Sequence, residues 1–120
     1  MKKVLVVEDE LSIANFLTDL IQILGYECKL LTSGKEVLDL AKTWKPDLIT
    51  LDLAMPSPDG LQVLSMLKAD GETKSIPVFV VSAIVNQPEI HRQLTAAHSI
   101  FQKPLDTKSF MQAVQKICNP

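Results

Sequence analysis

Three short runs of mainly apolar residues constrain the fold of this chain more than any other feature. Each run ends at a polar residue: 4–7 at Glu8, 48–51 at Asp52, and 78–81 at Ser82. Continuous apolar runs of this length are typical of strands buried on both faces, as in parallel sheets covered by helices. The runs therefore predict central strands whose carboxyl ends each present a polar side chain.

The segments between these runs complete an alternating pattern. Residues 27–30 alternate polar and apolar side chains, as in a half-exposed edge strand, and residues 99–102 predict a short fifth strand. Apolar residues at helical spacing predict helices over 11–24, from Ser33-Gly34 to Trp44, over 60–69, from Pro88 through Leu94, and from an N-cap at Asp106 to about residue 117. Strands that alternate with helices predict a flavodoxin-like, doubly wound (βα)5 α/β fold with a parallel five-stranded sheet in the order 2-1-3-4-5.

Length and charge limit the classes of function. The 120 residues are expected to form a single domain, residues 1–120, and a net charge of -2 with scattered Lys and Arg gives no basic surface for nucleic acid. No apolar run approaches the roughly 18 residues of a membrane span. We therefore expect a cytoplasmic protein without nucleic-acid or membrane partners, either stand-alone or part of a larger protein.

The polar residues at the strand ends meet at one edge of such a sheet. This places Asp52 and Ser82 beside Glu8, Asp9 and Lys103. Three carboxylates near one lysine repel one another, and a hard divalent ion with oxygen ligands relieves that repulsion; Mg²⁺ fits best. Asp52 is then placed to attack phosphorus and form an aspartyl phosphate, whose charge Lys103 and Ser82 stabilise.

Each of these residues alone has an ordinary structural interpretation. A carboxylate at a strand end is commonly a helix cap or a solvated charge, a serine there a turn residue, and a lysine a surface charge. Only their joint placement at one edge of the sheet indicates a reactive site.

Four motifs resemble those of response-regulator receiver domains of two-component signalling, over residues 3–117. They are Val6-Val7-Glu8-Asp9-Glu10, Asp52-Leu53-Ala54-Met55-Pro56 followed by Asp59-Gly60, Val80-Val81-Ser82-Ala83, and Phe101-Gln102-Lys103-Pro104. The resemblance implies these roles: Asp52 as phosphoacceptor, Asp9 as direct metal ligand, Glu8 as an acidic partner acting through water, the Ala54 carbonyl as a further metal ligand, and Ser82 and Lys103 as phosphoryl-binding groups.

The resemblance also implies cofactor and partners. The metal would be Mg²⁺ or Mn²⁺, and the phosphoryl group would come from a sensor histidine kinase, a histidine phosphotransfer protein or a small phosphodonor. Phosphorylation would switch a protein-interaction surface for a downstream effector, and a homodimer stays an open alternative. The domain would catalyse its own phosphorylation and slow dephosphorylation rather than act as a turnover enzyme.

One departure from the family pattern and one further feature of the sequence carry expectations. Ile100 occupies the position where the family usually has Tyr or Phe, and Phe101 is expected to face the core. Either the switch is read differently at residues 88–100, or Ile100 is a tolerated variant of an ordinary switch. Ala54 and Ile84, two residues after Asp52 and Ser82, are apolar and cannot orient a water molecule, so we expect the aspartyl phosphate to hydrolyse slowly.

Three other functions compete with this one. A flavin- or nucleotide-binding module is disfavoured because Glu8-Asp9-Glu10 places anions where phosphate would bind. A phosphohydrolase is disfavoured because Ala54 stands where a second acid is expected. A phosphate-independent interaction module with a receiver fold stays open.

The unusually apolar first helix, with Phe16, Ile21 and Ile23 off its main stripe, predicts either ordinary burial or a docking face for a kinase or phosphotransfer helix.

Overall fold

Five parallel strands form a central sheet with helices on both faces. The computed structural model describes residues 2–83 and 92–119. In chain order, the described elements are β1 (Lys3–Val7), α1 (Leu11–Ile23), β2 (Glu27–Leu31), α2 (Val37–Trp44), β3 (Leu48–Leu51), α3 (Gly60–Ala69), β4 (Val78–Ser82), β5 (Ser99–Gln102) and α4 (Thr107–Cys118). The strand order is β2-β1-β3-β4-β5, which confirms the flavodoxin-like α/β fold. The helix expected from residue 88 lies mostly outside the described residues, although residues 92–94 are helical.

Burial follows the position of each strand in the sheet. Every residue of β3 and β4 is buried, and so are the last four residues of β1, because helices cover both faces of the central strands. At the edge, β2 alternates between exposed and partly buried residues along Glu27, Cys28 and Lys29. The alternating segment is therefore an edge strand, as predicted.

The sheet separates two apolar cores. Successive strand residues point to opposite faces, so Val4 and Val6 of β1 pack into one core while Leu5 and Val7 pack into the other. The first core lies between the sheet and helices α1 and α4, and the second lies between the sheet and helices α2 and α3. Burial of these apolar side chains supplies the main driving force for folding.

Side-chain caps fix where two of the helices begin. Asp59 accepts a hydrogen bond from the Gln62 amide at 2.9 Å, and the Gln62 side chain accepts one from the Asp59 amide at 2.8 Å, which forms a capping box at the start of α3. Asp106 caps α4 through the Ser109 amide, as predicted.

The second helix begins later than its sequence suggests. We expected it to open at Ser33-Gly34, but α2 starts at Val37. The Ser33 hydroxyl instead accepts a hydrogen bond from the Lys35 amide at 3.2 Å, which closes a local turn before the helix.

The buried faces of two helices are rotated slightly from those that the sequence predicts. The predicted faces are Ile13, Leu17, Leu20 and Leu24 in the first helix, and Leu61, Leu64 and Leu67 in the third. In α1, Ile21 is buried with Leu17 and Leu20, while Ile13 and Leu24 are only partly buried. In α3, Val63 is buried with Leu64 and Leu67, whereas Leu61 is only partly buried and packs at the margin of a small cluster around Leu53.

Two further features concern the helices and the cysteines. Within residues 2–83 and 92–119, no helix combines the length and apolar character needed to cross a bilayer. Cys28 and Cys118 are both free thiols.

Gly60 allows the first turn of α3 to pack directly on the end of β3. A Cβ atom at this position would overlap the Asp52 carbonyl oxygen and the Leu53 Cα, which are both backbone atoms. The Gly60 amide also donates to the Leu53 carbonyl at 3.1 Å. The segment that follows Asp52 is therefore held against the helix by a contact that only glycine permits.

We expect Gly60→Ala to lower the free energy of unfolding by roughly 1–3 kcal/mol, because overpacking against backbone forces the chain to shift. Urea denaturation measures this change. Gly71→Ala is the matched control, since a Cβ at Gly71 meets nothing within 4 Å. Equal stabilities for the two variants would contradict the prediction.

Candidate functional site

Backbone hydrogen bonds between strands bring the polar residues to one edge of the sheet. The Glu8 amide donates to the Leu31 carbonyl, the Asp52 amide to the Val7 carbonyl, and the Lys103 amide to the Ser82 carbonyl, at 3.0, 3.0 and 3.1 Å. These bonds continue the pairing of the strands just past their carboxyl ends. The edge therefore collects the residues that follow β1, β3 and β5.

Three carboxylates converge at this edge. One carboxylate oxygen from each of Glu8, Asp9 and Asp52 lies within 4.8 Å of the other two. Glu8 and Asp52 are 1% and 3% exposed, whereas Asp9 is open to solvent. The cluster thus has a buried floor and one solvent-facing acid.

Lys103 is the counter-charge to these acids. Its Nζ lies 2.9 Å from Glu8 Oε1 and 3.7 Å from Asp52 Oδ1, and its side chain is only 18% exposed. In the part of the chain that the structure describes, it is the one cation within 4.0 Å of these carboxylates. One ammonium therefore faces three carboxylates.

Glu8 is the most perturbed acid of the cluster. Burial raises its pKa to about 7, the hydrogen bond from Lys103 opposes that rise, and the neighbouring Asp52 charge adds to it. The second carboxylate oxygen of Glu8 accepts a hydrogen bond from the Glu10 amide at 3.3 Å. Both oxygens of Glu8 are thus engaged by the protein, which suits the indirect role expected for this residue.

Asp52 begins a short loop that runs to Gly60. Its Oδ1 accepts a hydrogen bond from the Ala54 amide at 3.3 Å, and the Leu53 carbonyl accepts from the Met55 amide at 3.1 Å. Leu53 and Met55 are buried, while Ala54 is exposed between them. The loop therefore anchors two apolar side chains and leaves Ala54 at the surface beside the carboxylate.

Ser82 is the last residue of β4 and is fully buried. It pairs in register with Gln102, directly before Lys103. Asp52 and Lys103 thus flank the end of the strand that carries Ser82.

The donor set of this edge fits a hard divalent cation. Closely spaced carboxylate oxygens, with fewer positive than negative groups around them, are the environment in which Mg²⁺ binds. Asp9 and Asp52 are the carboxylates best placed to hold such an ion, because Glu8 already forms an ion pair with Lys103.

Ile100, which departs from the family pattern, and its neighbour Phe101 point to opposite sides of β5. Ile100 is 46% exposed, whereas the Phe101 ring packs against Phe79 and Phe110 with ring centroids 5.4 Å away in each case. Phe101 belongs to the core, as expected, and does not replace the usual aromatic residue. Residues 84–91, which include Ile84 and Pro88, lie outside the described residues.

The first helix has an exposed apolar side next to this edge. Ile21 is buried, but Phe16 and Ile23 are 44% and 74% exposed. Phe16 lines a cavity of about 270 Å³ together with residues that include Leu17, Lys103 and Pro104. The apolar residues of this helix predict either burial or a docking face, but the sequence does not predict their place beside Lys103, since only folding brings α1 and the segment after β5 together.

Comparisons with known proteins identify the family of this chain. Residues 4–115 match the family described as response regulator receiver domain. The polar-differentiation response regulator DivK of Brucella anthropi is 34% identical over 115 residues, which cover 95% of this chain and 94% of that protein.

Solved structures give the same result. The chemotaxis protein CheY4 of Vibrio cholerae has a TM-score of 0.87 at 26% identity and covers 98% of both chains. The receiver domain of the Francisella response regulator 1452 has a TM-score of 0.87 at 27% identity, and the match covers 98% of this chain and 96% of that one. This chain therefore belongs to the response-regulator receiver domain family.

Proposed function

We propose that residues 1–120 form one receiver domain that accepts a phosphoryl group on Asp52 in a two-component phosphorelay. The observation that supports this most is the placement of the buried Asp52 carboxylate 3.7 Å from Lys103 and within 4.8 Å of two further acids. Its partners are a sensor histidine kinase or histidine phosphotransfer protein as donor, and a downstream effector that recognises the phosphorylated form.

The transfer forms one bond and breaks another. An Asp52 carboxylate oxygen attacks the phosphorus of a phosphohistidine, the new O–P bond forms, and the N–P bond to the donor imidazole breaks. The Lys103 ammonium and the Ser82 hydroxyl bind the transferred oxygens, and Lys103 can do so because it already reaches towards Asp52. The chain thus catalyses its own modification without multiple turnover.

Asp9, Asp52 and the Ala54 carbonyl are the groups proposed to hold Mg²⁺ or Mn²⁺, with Glu8 acting through water. A bound divalent ion would neutralise charge on the phosphoryl oxygens. Without it, a negatively charged donor would approach a cluster in which negative groups exceed positive ones.

A phosphate-independent interaction module is the alternative function. A cytoplasmic location suits both functions, and neither needs nucleic acid. The two differ in whether Asp52 reacts, which the next experiment measures.

Incubation with acetyl phosphate and Mg²⁺ should add one phosphoryl group to the wild-type protein and none to Asp52→Asn, as measured by intact mass. Asp59→Asn is the matched control: it changes an acid on the same loop, and Asn caps a helix as well as Asp does. It should be phosphorylated like the wild type. No gain of mass in the wild type would favour the interaction module.

Removal of the Asp9 carboxylate should weaken Mg²⁺ binding by about tenfold or more, the range seen when groups that support a metal site are lost. Isothermal titration calorimetry of Asp9→Asn measures this. Glu10→Gln is the control, because Glu10 is also exposed but is not part of the carboxylate cluster, and its side chain makes no cap bond to α1. If both variants lose affinity equally, general surface charge accounts for binding and Asp9 is not a ligand.

The aspartyl phosphate should be long-lived in the wild type and shorter-lived, by about tenfold, in Ala54→Gln. An amide at this exposed position can orient a water molecule for attack on phosphorus. A positioned catalytic group raises a reaction rate by roughly 10²-fold or more, and we expect the amide to supply part of that increase. Loss of phosphate after removal of the phosphodonor gives the rate. Ala69→Gln at the exposed end of α3 should decay like the wild type, and identical decay in both variants would refute the proposed role of residue 54.

A further inference from the structure

Gly34 is buried although the chain around it is exposed. Within residues 32–36, between β2 and α2, the other four side chains all face solvent. A surface turn rarely needs a buried residue at its centre. Gly34 must therefore be in contact with something beneath the turn.

That contact is with the loop that carries Asp52. A Cβ atom on Gly34 would lie 2.6 Å from the Pro58 carbonyl oxygen, 3.2 Å from the Pro58 Cγ and 2.7 Å from the Val63 Cγ2. The first of these atoms is backbone and cannot rotate away. Among the described residues, Gly25 is the glycine with a positive φ, so the backbone at Gly34 has a conformation that other residues also adopt. Glycine is therefore required at position 34 because there is no space for a side chain, and not because of its φ.

The loop from Asp52 to Gly60 is thus enclosed from two directions. At its end, Gly60 packs on the Asp52 carbonyl and the Leu53 Cα. At its outer turn, Pro58 packs on Gly34. Leu53 and Met55 fix the middle of the loop by burial. Each of the two backbone contacts leaves no room for a methyl group.

We propose that Gly34 is a positioning residue for the phosphoacceptor loop, which it holds from the side of the edge strand β2. This inference rests on the proposed function of Asp52. The turn after β2 fixes the position of Pro58. Because Pro58 belongs to the same short loop as Asp52 and Ala54, this contact also keeps those two residues in position near Lys103. Gly34 touches neither substrate nor metal and acts only through Pro58.

A methyl group at residue 34 should disturb the site while the fold persists. Either the turn moves outward and Pro58 loses its support, or the loop moves by several tenths of an ångström. Small displacements of reacting groups are costly, since about 1 Å can reduce a rate a hundredfold. We expect Gly34→Ala to reduce the rate of phosphorylation by acetyl phosphate by about tenfold.

The test compares Gly34→Ala with Leu20→Ala. Leu20 is buried in the first core, on the other face of the sheet from α2 and α3, and among the described residues that core includes none of the loop from Asp52 to Gly60. Its truncation therefore destabilises the protein from a part of the fold that does not contain the loop. Amide chemical shifts of residues 52–60 in the metal-free proteins, Mg²⁺ affinity and the phosphorylation rate are measured for both. All three should change in Gly34→Ala, and none should change in Leu20→Ala at a temperature where both are folded.

Unchanged amide shifts at Asp52 and Ala54 in Gly34→Ala, or equal effects of the two substitutions, would overturn the proposal. If Gly34→Ala does not fold, the double variant Gly34→Ala/Val63→Ala removes the 2.7 Å contact, keeps the one with Pro58, and is compared with Val63→Ala alone. If the wild type accepts no phosphoryl group, the proposed function fails, while the amide shifts still decide whether Gly34 positions the loop.

Discussion

One ammonium among three carboxylates is the interaction on which this site depends. Lys103 binds Glu8 at 2.9 Å and lies 3.7 Å from Asp52, in a nearly buried environment where each charge interacts more strongly than in water. The single positive charge of Lys103 holds Glu8 in place but does not balance the negative charges of Asp9 and Asp52 as well. The remaining negative charge suits a divalent cation, and in the function that we propose such a cation would in turn favour the binding of a phosphoryl group.

The topology of the sheet makes this arrangement available. In the order β2-β1-β3-β4-β5, Asp52 follows the middle strand, while Glu8 and Lys103 come from strands on either side. The long lysine side chain spans the end of β4 to reach Glu8, 95 residues away in sequence. Ser82 is the last residue of β4, so the polar residues at this edge come from four segments of the chain.

Much of this could be predicted from the sequence because it depends on local pattern. The buried strands, the edge strand β2 and the cap at Asp106 follow from residues close together in the chain. The start of α2 and the contact of Gly34 with Pro58 could not be predicted, because both depend on how one loop packs on another. A glycine in a surface turn is too common to reveal such a contact by itself.

The charge imbalance also bears on the alternative function. A module that only binds proteins would gain nothing from buried acids at Glu8 and Asp52, since apolar or neutral residues in such positions are often as stable or more so. Desolvation of Glu8, which raises its pKa to about 7, is a cost that the single contact with Lys103 offsets only in part. Folding alone therefore does not account for the cluster. A phosphoacceptor site would account for it, because a bound cation would use the negative charge that the fold leaves unbalanced and would in turn offset the charge of a transferred phosphoryl group.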